Sequence, residues 1–369
     1  MMMMMKSDLS RPSLLLLVLC SSASGLGSVV LRYYLYIRHY YTWEQARSYC
    51  RSSGFNGDLA VIYTQSDVNN INLHQYHAWH GLHLPSSSSS WAWSGGPANS
   101  HITWGRDEPQ RGDECAYVSY TKRWFYGSNC GVYYFFFCDT IQANNYKYIF
   151  IPQSKTWSEA QQFCRSKYRD LATLRNTEAM SKAIVPRDFP VWTGLRRDGG
   201  TWKWTKGSSE YRNWASNEPS NNGDCVSIFS LRKEMATQNC SARFPFICYR
   251  DNLVLVKESK TWEEALEHCR ALSTPTTYNR RYELVSVQPG EDHDFVMNKV
   301  MQADTEEVWT GLRFLAGHWL WINGADMLYP DLPVCPLMKQ HCGTLSKNST
   351  GNMETRDCEE RKNFLCYSK

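Results

Sequence analysis

The stretch Val191–Gly207, VWTGLRRDGGTWKWTKG, decides how this chain is read. A near-copy lies at Val308–Gly324, VWTGLRFLAGHWLWING, and a looser one at Ala78–Gly95, AWHGLHLPSSSSSWAWSG. Each holds Trp-x-Gly-Leu, a polar or Gly-rich turn, and then Trp-x-Trp. The alternation in Trp202-Lys203-Trp204 and Trp319-Leu320-Trp321 puts both indoles of a pair on one face of a strand. Three copies indicate three similar units in tandem.

The cysteines repeat with the same rhythm. Of fourteen, twelve fall into three quartets: Cys50, Cys115, Cys130, Cys138; Cys164, Cys225, Cys240, Cys248; and Cys269, Cys342, Cys358, Cys366. The third and fourth members are 8 residues apart in every quartet. Four cysteines allow three pairings, and spacing alone does not choose among them. Zinc is disfavoured because no C-x2-C pair is present. Cys335 is left over, as a free thiol, an intermolecular bridge or a competitor for Cys342.

Around the quartets each unit follows one plan. A short aromatic strand opens it, at Tyr33–Ile37, Tyr146–Ile151 and Leu253–Val256. Then come Thr42-Trp43-Glu44-Gln45, Thr156-Trp157-Ser158-Glu159 and Thr261-Trp262-Glu263-Glu264. Each is Thr-x-x-Glu/Gln, the capping box that starts a helix. The first cysteine of each quartet sits seven residues after the Trp, on the same apolar stripe of that helix. A short strand, a second helix (Thr177–Ile184, Glu291–Met301), the Trp-rich hairpin, a long loop and two last strands complete the unit. Boundaries fall near Gln142–Asn145 and Arg250–Asn252.

Composition sets outer limits. The 369 residues suffice for two or three domains, the formal charge is only +4, and no Lys/Arg run suggests a nucleic-acid surface. Residues 1–25 carry Lys6, the apolar run Leu14–Leu19 with Cys20, and the small residues Ala23-Ser24-Gly25. They read as a signal peptide, too short to span a bilayer, and no later run reaches transmembrane length. The product is therefore expected to be secreted, which agrees with its cysteine content.

The capped Trp helix with its Cys, Trp-x-Gly-Leu, Trp-x-Trp, Asn213-Trp214, Glu218-Pro219 and the final Cys triplet resemble the C-type lectin-like domain. In tandem they look like part of a macrophage mannose receptor-type ectodomain. The resemblance implies an α+β fold of three tandem domains, each with two helices, short antiparallel sheets, a long loop and two nested disulfides. The domains are placed at 28–140, 144–250 and 252–369. The family pairs outer with outer and inner with inner cysteines. That implies Cys50–Cys138 around Cys115–Cys130, Cys164–Cys248 around Cys225–Cys240, and Cys269–Cys366 around Cys342–Cys358.

The resemblance also implies a shared calcium and sugar site in the long loop, built from Glu-Pro-Asn or Gln-Pro-Asp, an acid before the second Cys, and Trp-Asn-Asp before the third. Calcium takes six to eight oxygens. The first loop offers Glu108, Gln110 and Asp113 as calcium and sugar ligands, but Trp124–Asn129 has no Asn-Asp pair. The second offers Glu218, Ser220 and Asp224 for sugar, and Met235–Asn239 has no carboxylate. The third has no Glu-Pro; it reads Asp331-Leu332-Pro333-Val334-Cys335, with Asp357 before Cys358. Calcium is thus expected to be weak or absent, because affinity follows ligand charge and count. The expected partners are glycans or extracellular glycoproteins.

Other chemistry is thin. His74, His77, His80 and His83 recur every third residue, but they overlap the Trp-x-Gly-Leu strand, so they form a wet polar edge rather than a helical metal face. No G-x-S-x-G, H-E-x-x-H or P-loop occurs, and no catalysis is expected. The rival readings are a structural matrix spacer and a calcium-independent protein binder anchored by Trp91, Trp93, Trp104, Trp124 and Tyr126, of which Trp91 and Trp93 are assigned to the core. Asn348-Ser349-Thr350 is a glycosylation sequon.

Overall fold

The computed structural model describes residues 29–52, 57–94, 102–143, 145–174, 176–207, 209–272, 281–288, 291–329, 331–348 and 353–369. The leader expected over residues 1–25, with Cys20, lies outside them. The first repeat contributes β1 (Arg32–Tyr41), α1 (Trp43–Ser52), β2 (Asp58–Leu59), α2 (Gln65–Asn69), β3 (His77–His83), β4 (Ala92–Trp93), β5 (Cys115–Ser119), β6 (Phe125–Ser128) and β7 (Tyr134–Gln142). The second contributes β8 (Asn145–Lys155), α3 (Trp157–Lys167), β9 (Asp170–Leu171), α4 (Thr177–Ala183), β10 (Pro190–Asp198), β11 (Thr201–Trp204), β12 (Cys225–Phe229), β13 (Met235–Gln238) and β14 (Phe244–Asp251). The third contributes β15 (Leu253–Lys260), α5 (Trp262–Ala271), β16 (Tyr282–Leu284), α6 (Glu291–Val300), β17 (Glu307–Leu315), β18 (His318–Trp321), β19 (Cys342–Ser346), β20 (Met353–Arg356) and β21 (Lys362–Ser368).

These elements build three sheets of one design. The third repeat makes β15-β21-β17-β19-β20, with β18 on β17 and β16 on β21. The other two sheets exchange their openings. One runs β6-β5-β3-β7-β8, with β4 on β3 and β9 on β7; the other runs β1-β14-β10-β12-β13, with β11 on β10 and β2 on β14. The first body therefore holds β8, α3 and β9 of the second repeat, and the second body holds β1, α1 and β2 of the first. Residues 30–253 with 294–304 form one compact unit, and residues 254–293 with 305–369 belong to the other.

The connection explains the exchange. β7 and β8 form a long antiparallel ladder from Tyr134↔Lys155 to Gln142↔Asn145, with two residues between the strands, of which Ala143 stands at φ 50°. Two-residue hairpin loops use positive φ, and closing so short a loop costs little entropy. β8 thereby fills the edge of β7 where β1 would have lain. β1 pairs instead with β14, from Arg32↔Asp251 to Tyr41↔Phe244. Between β14 and β15 stands only Asn252, which is one residue short of such a turn, and β15 pairs with β21 in its own body.

The same fastenings hold every body. The helix Trp donates from Nε1 to the carbonyl at the centre of the Trp-x-Gly-Leu strand: Trp262 to Thr310 (2.9 Å), Trp43 to Thr193 (2.9 Å) and Trp157 to His80 (2.9 Å). The strand Trp donates back to the chain just before the helix: Trp309 to Lys260, Trp192 to Tyr41 and Trp79 to Lys155. The motif's glycine lets a carbonyl approach. A Cβ on Gly194 would stand 2.8 Å from the Leu59 oxygen, and one on Gly311 would stand 2.9 Å from the Leu284 oxygen. Capping boxes close on Thr156 and Thr261, and Thr42 exchanges the matching bonds with Gln45.

The disulfides follow the strands, which corrects two of the expected bridges. Cys50 bonds Cys248 and Cys138 bonds Cys164, in place of Cys50–Cys138 and Cys164–Cys248. The other four are Cys115–Cys130, Cys225–Cys240, Cys269–Cys366 and Cys342–Cys358. Cross-link entropy does not select between the two pairings. Loops of 198 and 26 residues contribute about 5.3 and about 3.5 kcal/mol on the chain-entropy model, against about 4.6 kcal/mol for each of two loops of roughly 85 residues. Strand pairing decides, and the sulfurs lock what it has placed together. Cys335 is exposed and unbridged.

Candidate functional site

The long loops lie between the Trp hairpin and the last strands, and the first two are anchored alike. Trp104 bridges to Phe125 and Trp214 to Met235. Asp107 and Asn217 take positive φ (61° and 63°), and Glu108-Pro109 and Glu218-Pro219 are both cis. The turn therefore presents each glutamate to the strand before the third cysteine.

There the glutamates meet protein donors. In the second loop Glu218 Oε2 accepts from Thr237 N–H (2.9 Å), Thr237 Oγ1 (2.6 Å) and Ser220 N–H (2.8 Å), while Ser220 Oγ reaches Oε1 (3.3 Å). Burial by itself would raise the Glu218 pKa, but the bonds from Thr237 and Ser220 outweigh it and hold the carboxyl below its ordinary range. Asp224 is drawn away by Arg197 (Nε to Oδ1 2.7 Å). The second loop thus brings Glu218 and Ser220 together and separates Asp224 from them by function.

In the first loop Gly127 N–H donates to Glu108 Oε2 (2.8 Å), and Gln110 N–H donates to Asp113 Oδ2 (2.8 Å). The Asp113 carboxylate lies so close over Gly127 that a Cβ there would be 2.1 Å from Oδ2. Glu108 and Asp113 therefore converge on one glycine, and the Gln110 side chain remains exposed. Among the described residues no group of three or more His, Cys, Asp or Glu could hold a metal ion. In the second loop the donors do not fit a hard divalent cation that needs six to eight oxygens, because Glu218 already serves four protein bonds and Asp224 an arginine.

The third loop has another character. Trp319 Nε1 donates to the Pro333 carbonyl (2.8 Å), and beyond it Val334, Leu337 and Met338 are 85%, 71% and 92% exposed, around Cys335. Asn348 donates from Nδ2 to Glu354 Oε1 (3.0 Å). Its two sequon partners lie outside the described residues.

Thr237 escaped the sequence reading. It falls in a stretch noted only for lacking carboxylates, and a hydroxyl that satisfies a carboxylate leaves no spacing signal. The histidine run also differs from expectation. His77, His80 and His83 lie on β3, but His80 is fully buried, with Leu82 N–H donating to its Nδ1 (3.3 Å), rather than part of a wet edge. It occupies the place of Thr193 and Thr310, at the heart of the strand. Burial depresses the pKa values of His77 and His80 to about 3 each. Trp93 is buried, and Trp91 is half-buried against Trp104 (4.8 Å).

The sequence is similar to those of known proteins. The chain is 24% identical over 261 residues to the secretory phospholipase A2 receptor of Oryctolagus cuniculus, covering 58% of this chain and 17% of that protein. It is 25% identical over 230 residues to C-type mannose receptor 2 of Homo sapiens, covering 51% and 15%. It thus spans less than a fifth of either receptor. The C-type lectin lectoxin-Lio1 of Erythrolamprus poecilogyrus is 36% identical over 121 residues, 29% of this chain and 74% of that one. Among solved structures, CEL-I from Cucumaria echinata is 22% identical with TM-score 0.29, covering 33% of this chain and 89% of that one. In every body the capped Trp helix rests on the Trp-x-Gly-Leu strand, and the Lectin C-type domain profile matches residues 39–140, 153–250 and 258–368. The chain belongs to the C-type lectin domain family.

Proposed function

We propose that this is a secreted, non-catalytic recognition protein that binds glycans or extracellular glycoproteins without a tight calcium site. The observation that carries the reading is the saturation of Glu218 by Thr237 and Ser220. A carboxylate that already accepts three short bonds must give them up to bind a metal, and the exchange returns little net energy. The leader-like residues 1–25 and six disulfides support an oxidising destination. Glycan arrays with and without a calcium chelator, together with calcium calorimetry on the whole chain, test it. Binding that survives the chelator supports the reading; a micromolar calcium site overturns it.

The exposed Val334, Leu337 and Met338 favour a second reading, in which the third loop takes up a protein partner without calcium. Substituting all three with Ser would then abolish partner capture and leave glycan binding intact.

A further inference from the structure

We infer that the cleft between the two exchanged bodies is a calcium-independent binding site for an anionic saccharide, one bearing sulfate or carboxylate. The cleft has a volume of about 680 Å3 and is lined by β1 on one side and by β3, β5 and the approach to β7 on the other. Its lining includes neither Glu108 nor Glu218, and of the long-loop acids the Glu108 and Asp113 charges act on the Tyr117 and Tyr134 hydroxyls at its rim.

Two aromatic walls face it. His39, Tyr41 and Tyr49 pack ring against ring at 5.5–6.0 Å, with Tyr49 edge-on to the other two. Tyr117 packs against His77 (4.8 Å) and Tyr134 (4.7 Å). Flat rings match the C–H face of a pyranose, and aromatic anchors carry much of the energy in recognition sites. Among the described residues the hydroxyls of Tyr41, Tyr49, Tyr117 and Tyr133 make no hydrogen bond, and so are open to sugar hydroxyls.

The charge on the lining itself is positive. Arg38 and Arg243 line the cleft, and no carboxylate does. Among the described residues Arg38 has neither an ion pair nor a side-chain hydrogen bond. Arg243 stacks over Tyr133 (4.3 Å) and donates to Gln45 (2.9 Å). Guanidinium forks suit the planar pairing that carboxylate or sulfate oxygens offer. Burial and the Arg38 charge keep His39 and His77 neutral near pH 7, so the arginines supply the positive charge.

The test uses the full chain and size-defined heparin and chondroitin sulfate oligosaccharides, with desulfated forms as controls and chelator throughout. We expect saturable binding that Arg38→Gln with Arg243→Gln weakens at least tenfold and that Lys122→Gln, outside the cleft, leaves unchanged. Arg38→Gln alone serves if the double variant loses its fold by thermal unfolding, with a severalfold loss expected. Equal binding by the arginine variants, no binding of any anionic saccharide, or binding of a sulfotyrosine peptide in place of the oligosaccharides overturns the inference.

Discussion

The first two repeats and the third share the capped Trp helix, the Trp-x-Gly-Leu strand and the cysteine spacing. One pair trades openings and the other repeat closes on itself. In the third, Trp262 binds Thr310 and Cys269 binds Cys366. In the pair, the same bonds cross between repeats, as Trp43 to Thr193 and Cys50 to Cys248. The interactions are equivalent, so they cannot decide who binds whom. The difference lies in the connection. Two residues make a hairpin and divert β8 onto β7; one residue does not.

Lengthening the Ala143-Asn144 connection by about six Gly and Ser residues breaks the comparison most completely. With the hairpin relaxed, non-reducing peptide maps should show Cys50–Cys138 appearing at the expense of Cys50–Cys248. A lengthened chain that keeps Cys50–Cys248 alone would mean that the turn does not set the exchange.

The Trp pairs come next. Trp43→Ala and Trp157→Ala should each cost about 3–5 kcal/mol and lower one and the same calorimetric transition, because each supports the body of the other repeat. Trp262→Ala should cost as much and lower the other transition. A Trp43→Ala chain that melts like the native protein would refute the cross-repeat docking.

Gly194→Ala and Gly311→Ala should match each other at about 1–3 kcal/mol, measured by denaturant unfolding. Both added methyls meet a strand carbonyl, from the first repeat at Gly194 and from its own repeat at Gly311. Unequal costs would show that the exchanged joint is looser than the self-contained one.

The smallest effect is a pH dependence. Glu218 is held below its ordinary pKa, so it stabilises the fold above the unfolded value near 4.3 and ceases to as pH falls through the folded value. Between pH 5 and pH 3 the native chain should lose its small advantage over Glu218→Gln, and the third repeat, which lacks the motif, should be indifferent. A constant difference across that range would remove the assigned role of Thr237 and Ser220.

Much of this was legible in the sequence because it is local. Thr156 and Glu159 announce a helix start within four residues, and Trp319-Leu320-Trp321 announces a buried strand face. The three repeats and the cysteine roster follow from such signals, and the α+β class from the family resemblance they carry. The partner of Cys50 did not, since Cys138 and Cys248 sit within equivalent strands and only the competition for β7 separates them. The sites behave the same way. Glu108 and Glu218 stand out by their Glu-Pro pairs, whereas the hydroxyl that occupies Glu218 and the arginines of the cleft come together only in space.

The pairing of Arg32 with Asp251 sets the two ends of the exchanged unit side by side. Tension applied across those ends would unzip β1 from β14 only as far as the Cys50–Cys248 bridge. From there the pull runs through sulfur and bypasses residues 51–247. The stretch drawn out on the way holds β1 and most of α1, so the second body would give up its Trp43 fastening, while the first body, enclosed by the bridge, bears no load.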